Sequence, residues 1–84
     1  MINQLSLDSY HQLTDIGRAQ RIVYNTIAQA GPISRRSLAG LLGWPVNRVT
    51  GRVTELMEFQ LIKVSRLGYD QETNRHVELL EVIR

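Results

Sequence analysis

The stretch Leu41-Leu42-Gly43-Trp44-Pro45-Val46-Asn47-Arg48-Val49-Thr50-Gly51-Arg52-Val53-Thr54-Glu55-Leu56 decides how the rest of this chain reads. Gly43-Trp44-Pro45 is a turn leading into a helix, because proline near the first helical position lacks only an N–H that the helix would leave unpaired anyway. From about Pro45 to Phe59 the apolar residues fall at helical spacing. Val49, Val53 and Leu56 share one face, with Val46, Met57 and Arg52 on its flanks. If that face points inward, Asn47, Gly51, Thr54 and Glu58 point outward, and Arg48, Thr50 and Glu55 lie at the sides. Gly51 keeps the middle of the helix slim, at a cost of about 1 kcal/mol in helix propensity.

Upstream, Ser34 reads as the cap of a second, short helix holding Leu38, Ala39, Leu41 and Leu42. Ile33 supplies the single apolar residue of a very short strand. Gly31-Pro32 ends a first helix, with glycine suited to the position just past the helix and proline unable to continue it. Along that first helix Ile16, Ala19, Val23, Ile27 and Ala30 recur every three or four residues, with Thr14 or Asp15 as the expected cap. Residues 1–14 are polar, with scattered Leu5, Leu7, Tyr10 and Leu13, and read either as an arm or as a short amphipathic helix.

Downstream of Gln60 the period falls from near four to two. Leu61 to Leu67 reads as a strand with Ile62 and Val64 on one face, and Gly68 to Asn74 is rich in turn residues. Arg75 to about Val82 reads as a second strand, with Val77 and Leu79 inward. Leu79-Leu80 breaks the alternation, which implies a bulge or a strand end. The order is helix, short strand, helix, helix, hairpin. That is an α+β chain, and a tight turn between the last two helices with a hairpin behind them makes a winged helix-turn-helix.

Composition agrees with one small domain. The chain has 84 residues, 43% of them hydrophobic and 21% charged, which is ordinary for a globular domain. We divide it into an arm or short helix over residues 1–14 and a winged helix-turn-helix domain over residues 15–84. A chain of this length buries only about 60–65% of the surface that its unfolded form exposes. There is no cysteine, which removes disulfides, thiolate metal sites and cysteine nucleophiles together. No apolar run reaches the roughly 18–20 residues of a membrane span, and Met1-Ile2-Asn3-Gln4 has no leader pattern.

The net charge of +2 conceals an asymmetry. From Ile16 to Val53 there is no acidic residue, while Arg18, Arg21, Arg35, Arg36, Arg48 and Arg52 all fall there. The acidic residues gather at Asp8 and Asp15 and in the tail after Thr54. Apart from Lys63, every cation is arginine, the residue suited to bidentate contacts with phosphate and guanine. A polyanionic partner is therefore expected, double-stranded DNA above all. On the outer face of the third helix Asn47 can pair bidentately with adenine and Arg48 with guanine. Thr50 can bond a phosphate or touch a thymine methyl.

The run from Leu41 to Leu56, followed by Leu61-Ile62, resembles the recognition-helix region of small winged helix-turn-helix proteins of bacteriophages and prophages. More distantly it is similar to bacterial winged-helix transcriptional regulators. The likeness covers roughly Tyr10 to Arg75, including Gly31-Pro32-Ile33-Ser34 and a Thr73-Asn74-Arg75 turn. It implies that Asn47, Arg48 and Thr50 match helix positions that touch DNA, and that Arg75 matches a wing position that reaches it. It also implies a phage or prophage transcriptional regulator working in the cytoplasm of a bacterial host. Two departures stand out. Gln60 occupies a place where the pattern usually has glycine, a substitution costing on the order of 1 kcal/mol if the residue is left-handed. Asn74 replaces another such glycine, and asparagine tolerates that conformation better.

The candidate DNA-binding residues are thus Ser34, Arg35, Arg36, Asn47, Arg48, Thr50, Gly51, Arg52, Arg66, Tyr69 and Arg75. Each has a plainer alternative. Arg52 lies near the buried face and either braces the helix or meets a phosphate. Arg35 and Arg36 open the second helix, where a phosphate would find charge and free N–H groups, or else only water. Arg66 and Arg75 either contact DNA or pair with Glu72 or Glu78 across the strands. Tyr69 stacks on a sugar or caps the hairpin, and Trp44 reads as a packing anchor between turn and wing. Arg18 and Arg21 read as surface charges. His11 and His76 belong to no catalytic or metal-ligand pattern, and no glycine-rich phosphate loop is present, so no enzyme, cofactor or metal is expected. The alternative class is a protein-interaction module binding a host or phage protein, including a replication or packaging accessory role, favoured by Glu55, Glu58 and the acidic tail. A lone winged helix with a few phosphate contacts binds DNA weakly, so a two-fold homodimer on a palindromic site is expected with the DNA-binding reading.

Overall fold

The structure is a computed structural model and describes residues 16–84. Three helices are followed by a hairpin: α1 (Arg18–Ala30), α2 (Arg35–Leu42), α3 (Val46–Glu58), β1 (Ile62–Asp70) and β2 (Arg75–Val82). The class is α+β, with a two-stranded antiparallel sheet at the C-terminal end. The arm or short helix expected over residues 1–14 lies outside the described residues, as does the Thr14 or Asp15 cap. Among the described residues no helix is long and apolar enough to cross a membrane.

α1 begins later than its periodicity suggests. Its cap is Gly17, whose N–H donates to Gln20 Oε1 at 2.8 Å, so Ile16 stands before the helix yet remains buried. Val23 and Ile27 form the fully buried stripe, whereas Ala30 is exposed at the helix end. Gly31 ends the helix as expected and is extended, with φ −68° and ψ 161°. Glycine is required there for closeness. A Cβ on Gly31 would meet the Ile27 carbonyl oxygen at 2.7 Å and that of Leu80 at 3.0 Å. The Gly31–Pro32 peptide is cis. The short strand is a single bridge in which Ile33 and Leu80 exchange both backbone bonds, at 3.0 and 2.8 Å.

Ser34 caps α2, its hydroxyl accepting from the Ser37 N–H at 3.1 Å. Leu38 and Ala39 are buried, Leu42 is half-buried, and Leu41 points out. Gly43 closes the helix in the left-handed region, with φ at 68°. Pro45 occupies the cap position one residue ahead of α3, where its lack of an N–H is harmless. Val49, Val53 and Leu56 are completely buried, as the spacing predicts. Each such side chain contributes roughly 1.5–3 kcal/mol.

α3 ends in a Schellman motif. Leu61 N–H bonds the Leu56 carbonyl at 3.0 Å and Gln60 N–H bonds that of Met57 at 2.9 Å, with Gln60 left-handed at φ 61°. Leu56 and Leu61 are both buried, giving the motif its apolar clasp. The hairpin corrects two expectations. β1 runs on to Asp70, so Gly68, Tyr69 and Asp70 pair with Val77, His76 and Arg75 and the turn shrinks to residues 71–74. The irregularity signalled by Leu79-Leu80 sits on the facing strand, where Ser65 is the extra residue between Val64↔Leu80 and Arg66↔Leu79. The bulge lets Ile62, Leu80 and Val82 close the core. Val77 and Leu79 are only half-buried, and Val64 is exposed. Asn74 takes the left-handed turn position at φ 57°.

Candidate nucleic-acid interface

The outer half of α3 matches the helical wheel. Asn47, Arg48, Thr54 and Glu58 are exposed, and Thr50 and Gly51 are half-buried. A Cβ added to Gly51 would meet nothing within 4 Å, so no intramolecular contact demands glycine there. Arg48 lies with its guanidinium 3.9 Å from the ring centre of Trp44. Trp44 is half-buried against the core and thereby forms a floor beneath that side chain. Helical i, i+4 spacing across the helix start was the signal for this pair, although Trp44 read as an anchor between turn and wing.

Arg52 has a different fate. Its Nε and Nη2 donate to Glu55 Oε1 and Oε2 at 2.7 and 2.9 Å, a bidentate fork. Gln20 Nε2 on α1 donates to the same Glu55 Oε1 at 2.8 Å. The hydrogen bonds from Arg52 and then Gln20 hold the Glu55 carboxyl below the usual carboxylate range, and the same pairing raises Arg52 further. Arg52 thus braces α3 against α1 through a shared carboxylate. The i, i+3 spacing of Arg52 and Glu55 announced half of this arrangement, whereas nothing local announced Gln20.

Two acidic residues of the hairpin, Glu72 and Glu78, are turned back onto α2, while Glu81 is met within the hairpin. Arg35 meets Glu78 at 2.8 Å, Arg36 meets Glu72 more loosely at 3.6 Å, and Lys63 meets Glu81 at 3.6 Å. Glu72 and Glu78 are therefore not held across the strands by Arg66 or Arg75. Those two arginines are exposed and have no carboxylate partner among the described residues. Arg66 stands opposite Leu79 and Arg75 opposite Asp70, and the register after the bulge puts both arginines on one face of the hairpin. Tyr69 is 54% exposed and meets His76 edge-on at 5.6 Å. Ser34 is buried and uses its hydroxyl as the α2 cap.

An open cleft of about 660 Å³ separates the start of α2 from the hairpin, lined by Ser34, Arg36, Ser37, Tyr69, Glu72 and Leu79 among others. Among the described residues no cluster of His, Asp or Glu could hold a metal ion. Among the described residues this is a three-helix α+β structure with an arginine-bearing outer helix face and an arginine-bearing hairpin face. Compared with protein-family models, curated proteins and solved structures, the chain matches none.

Proposed function

We propose that this chain is a winged helix-turn-helix protein that binds double-stranded DNA, with α3 as recognition helix in the major groove and the hairpin as wing on the flanking backbone. The observation that carries the reading is the exposed start of α3. Asn47 and Arg48 stand in solvent, with no hydrogen-bond partner for their side chains among the described residues, on a helix whose opposite face is fully buried. Arginine and asparagine are the side chains whose paired donors and acceptors match guanine and adenine edges in that groove. Thr50 and Arg36 bond phosphates, Arg66, Tyr69 and Arg75 hold the flank, and Arg35 is engaged by Glu78. Arg52 is a brace and does not reach a base.

The role is that of a phage or prophage transcriptional regulator in the bacterial cytoplasm, occluding or organising a promoter. It is a binding protein, without catalysis or cofactor. A single domain with a few phosphate contacts binds weakly, so a two-fold homodimer on a palindrome completes the proposal. The test is fluorescence anisotropy with mixed-sequence duplex DNA across a salt series. A log–log slope corresponding to roughly 3–6 phosphates supports the reading. No binding at low salt overturns it.

A second reading has one observation behind it. Leu41 is 64% exposed and Val46 46% exposed beside the α2–α3 turn, an apolar offering that suits a protein partner from host or phage. Early elution from heparin at moderate salt, combined with failure of the duplex titration, would favour that adaptor role.

A further inference from the structure

Among the arginines of α3, Arg48 and Arg52 are held in opposite ways. Arg52 has its fork filled by a carboxylate. Arg48 is held by an aromatic ring: its guanidinium carbon lies over Trp44, 3.9 Å from the ring centre, and no acceptor among the described residues takes its N–H groups. Stacking on an indole fixes the plane of a guanidinium without using any in-plane donor. An arginine in water loses rotamer freedom when it binds, and a side chain already confined to one plane loses less. Trp44 is itself fixed, because it packs against the core and its backbone N–H bonds the Ala39 carbonyl at 3.1 Å. The result is a flat, oriented set of donors with no partner of its own, at the first turn of α3.

We infer that Trp44 is a positioning residue that orients the Arg48 fork for guanine, so that this part of the site selects guanine through its O6 and N7 acceptors. The inference rests on the DNA-binding reading above. A phosphate would accept from an arginine at almost any orientation. A guanine edge requires both donors in the base-pair plane, and a preset plane favours it. Lysine at position 48 would keep the charge and lose the fork.

The experiment compares the parent with Trp44→Phe, Trp44→Leu and Arg48→Lys on three duplexes: one rich in guanine–cytosine, the same sequence with 7-deazaguanine for every guanine, and one of adenine–thymine. Removing N7 leaves backbone charge untouched and deletes one of the two acceptors. The parent is expected to weaken about tenfold on the 7-deaza duplex, within the range of one bidentate contact. Trp44→Leu and Arg48→Lys are expected to lose most of that discrimination while keeping the parent's salt slope, with Trp44→Phe in between. Circular dichroism melts establish that each variant is folded, and Trp44→Phe preserves an aromatic packing group if leucine does not. As the chain's only tryptophan, Trp44 also reports directly, and its fluorescence is expected to shift on guanine-rich duplex more than on the 7-deaza form.

A parent that binds all three duplexes equally overturns the inference and leaves DNA binding standing. Folded Trp44 variants that discriminate as the parent does overturn the role of Trp44. Failure of the parent to bind any duplex removes the DNA reading and the inference together.

Discussion

Arg48, Gly51 and Gln60 show how much a single position can be asked to do. Truncating Arg48→Ala is expected to cost about 1–3 kcal/mol of DNA affinity and to loosen base preference, measured by anisotropy on competing sequences. Arg36→Ala, whose ion pair with Glu72 is long and exposed, should weaken all sequences alike. Gly51 separates stability from function. It has open space for a Cβ and sits mid-helix, so Gly51→Ala should stabilise the fold by up to about 1 kcal/mol in a thermal melt. If the backbone approaches the groove there, the same variant binds DNA more weakly; unchanged affinity would show that the glycine serves no close approach. At Gln60 the left-handed backbone is real, with φ at 61°. Gln60→Gly should therefore raise the melting temperature, by an amount corresponding to about 1 kcal/mol. That strain was legible beforehand only through the resemblance, whose pattern usually has glycine where this chain has Gln60.

Between elements, the links that matter are polar and were mostly illegible. α3 is tied to α1 by Glu55, which accepts from Arg52 and from Gln20 at 2.8 Å. Because these bonds lower the folded-state pKa of Glu55, the stability they contribute is present above the ordinary carboxylate range. It is lost as the pH falls through the folded value. The melting-temperature gap between parent and Glu55→Gln should therefore be open at neutral pH and close in acid, and a constant gap would count against the network. The α2–hairpin contact is of the same kind. Sequence proximity suggested cross-strand partners for Glu72 and Glu78, but the turn of the chain at Gly31 and the Ile33–Leu80 bridge bring the start of α2 to the edge of β2. Arg35 and Arg36 arrive there first. Gly31→Ala is expected to disrupt this junction, since its Cβ would press on two backbone oxygens that cannot move independently.

Across the whole molecule, charge is sorted rather than merely accumulated. The six arginines between Ile16 and Val53 suggested a polyanionic partner. In three dimensions Arg35, Arg36 and Arg52 are matched by carboxylates, and the unmatched cations include Arg48 on α3 and Arg66 and Arg75 on the hairpin. Arg66→Ala and Arg75→Ala should each lower the salt slope of DNA binding by about one. Arg35→Ala should leave the slope near the parent's and instead cost stability, about 0.2–1 kcal/mol for so exposed a pair. Sequence alone determined the helices of the described residues, the hairpin, the cap at Ser34, the turn at Gly43 and the buried stripe Val49–Val53–Leu56. These follow from periodicity and from backbone preferences that act within a few residues. It also placed Asn47 outward and Arg48 at the side of that face, because a helix with one buried face leaves little choice for the other. Tertiary structure alone decided which strand carries the bulge, why Gly31 must be glycine, and which arginines remain unmatched. Those outcomes depend on side chains brought together from distant parts of the chain, and no local pattern encodes such a meeting.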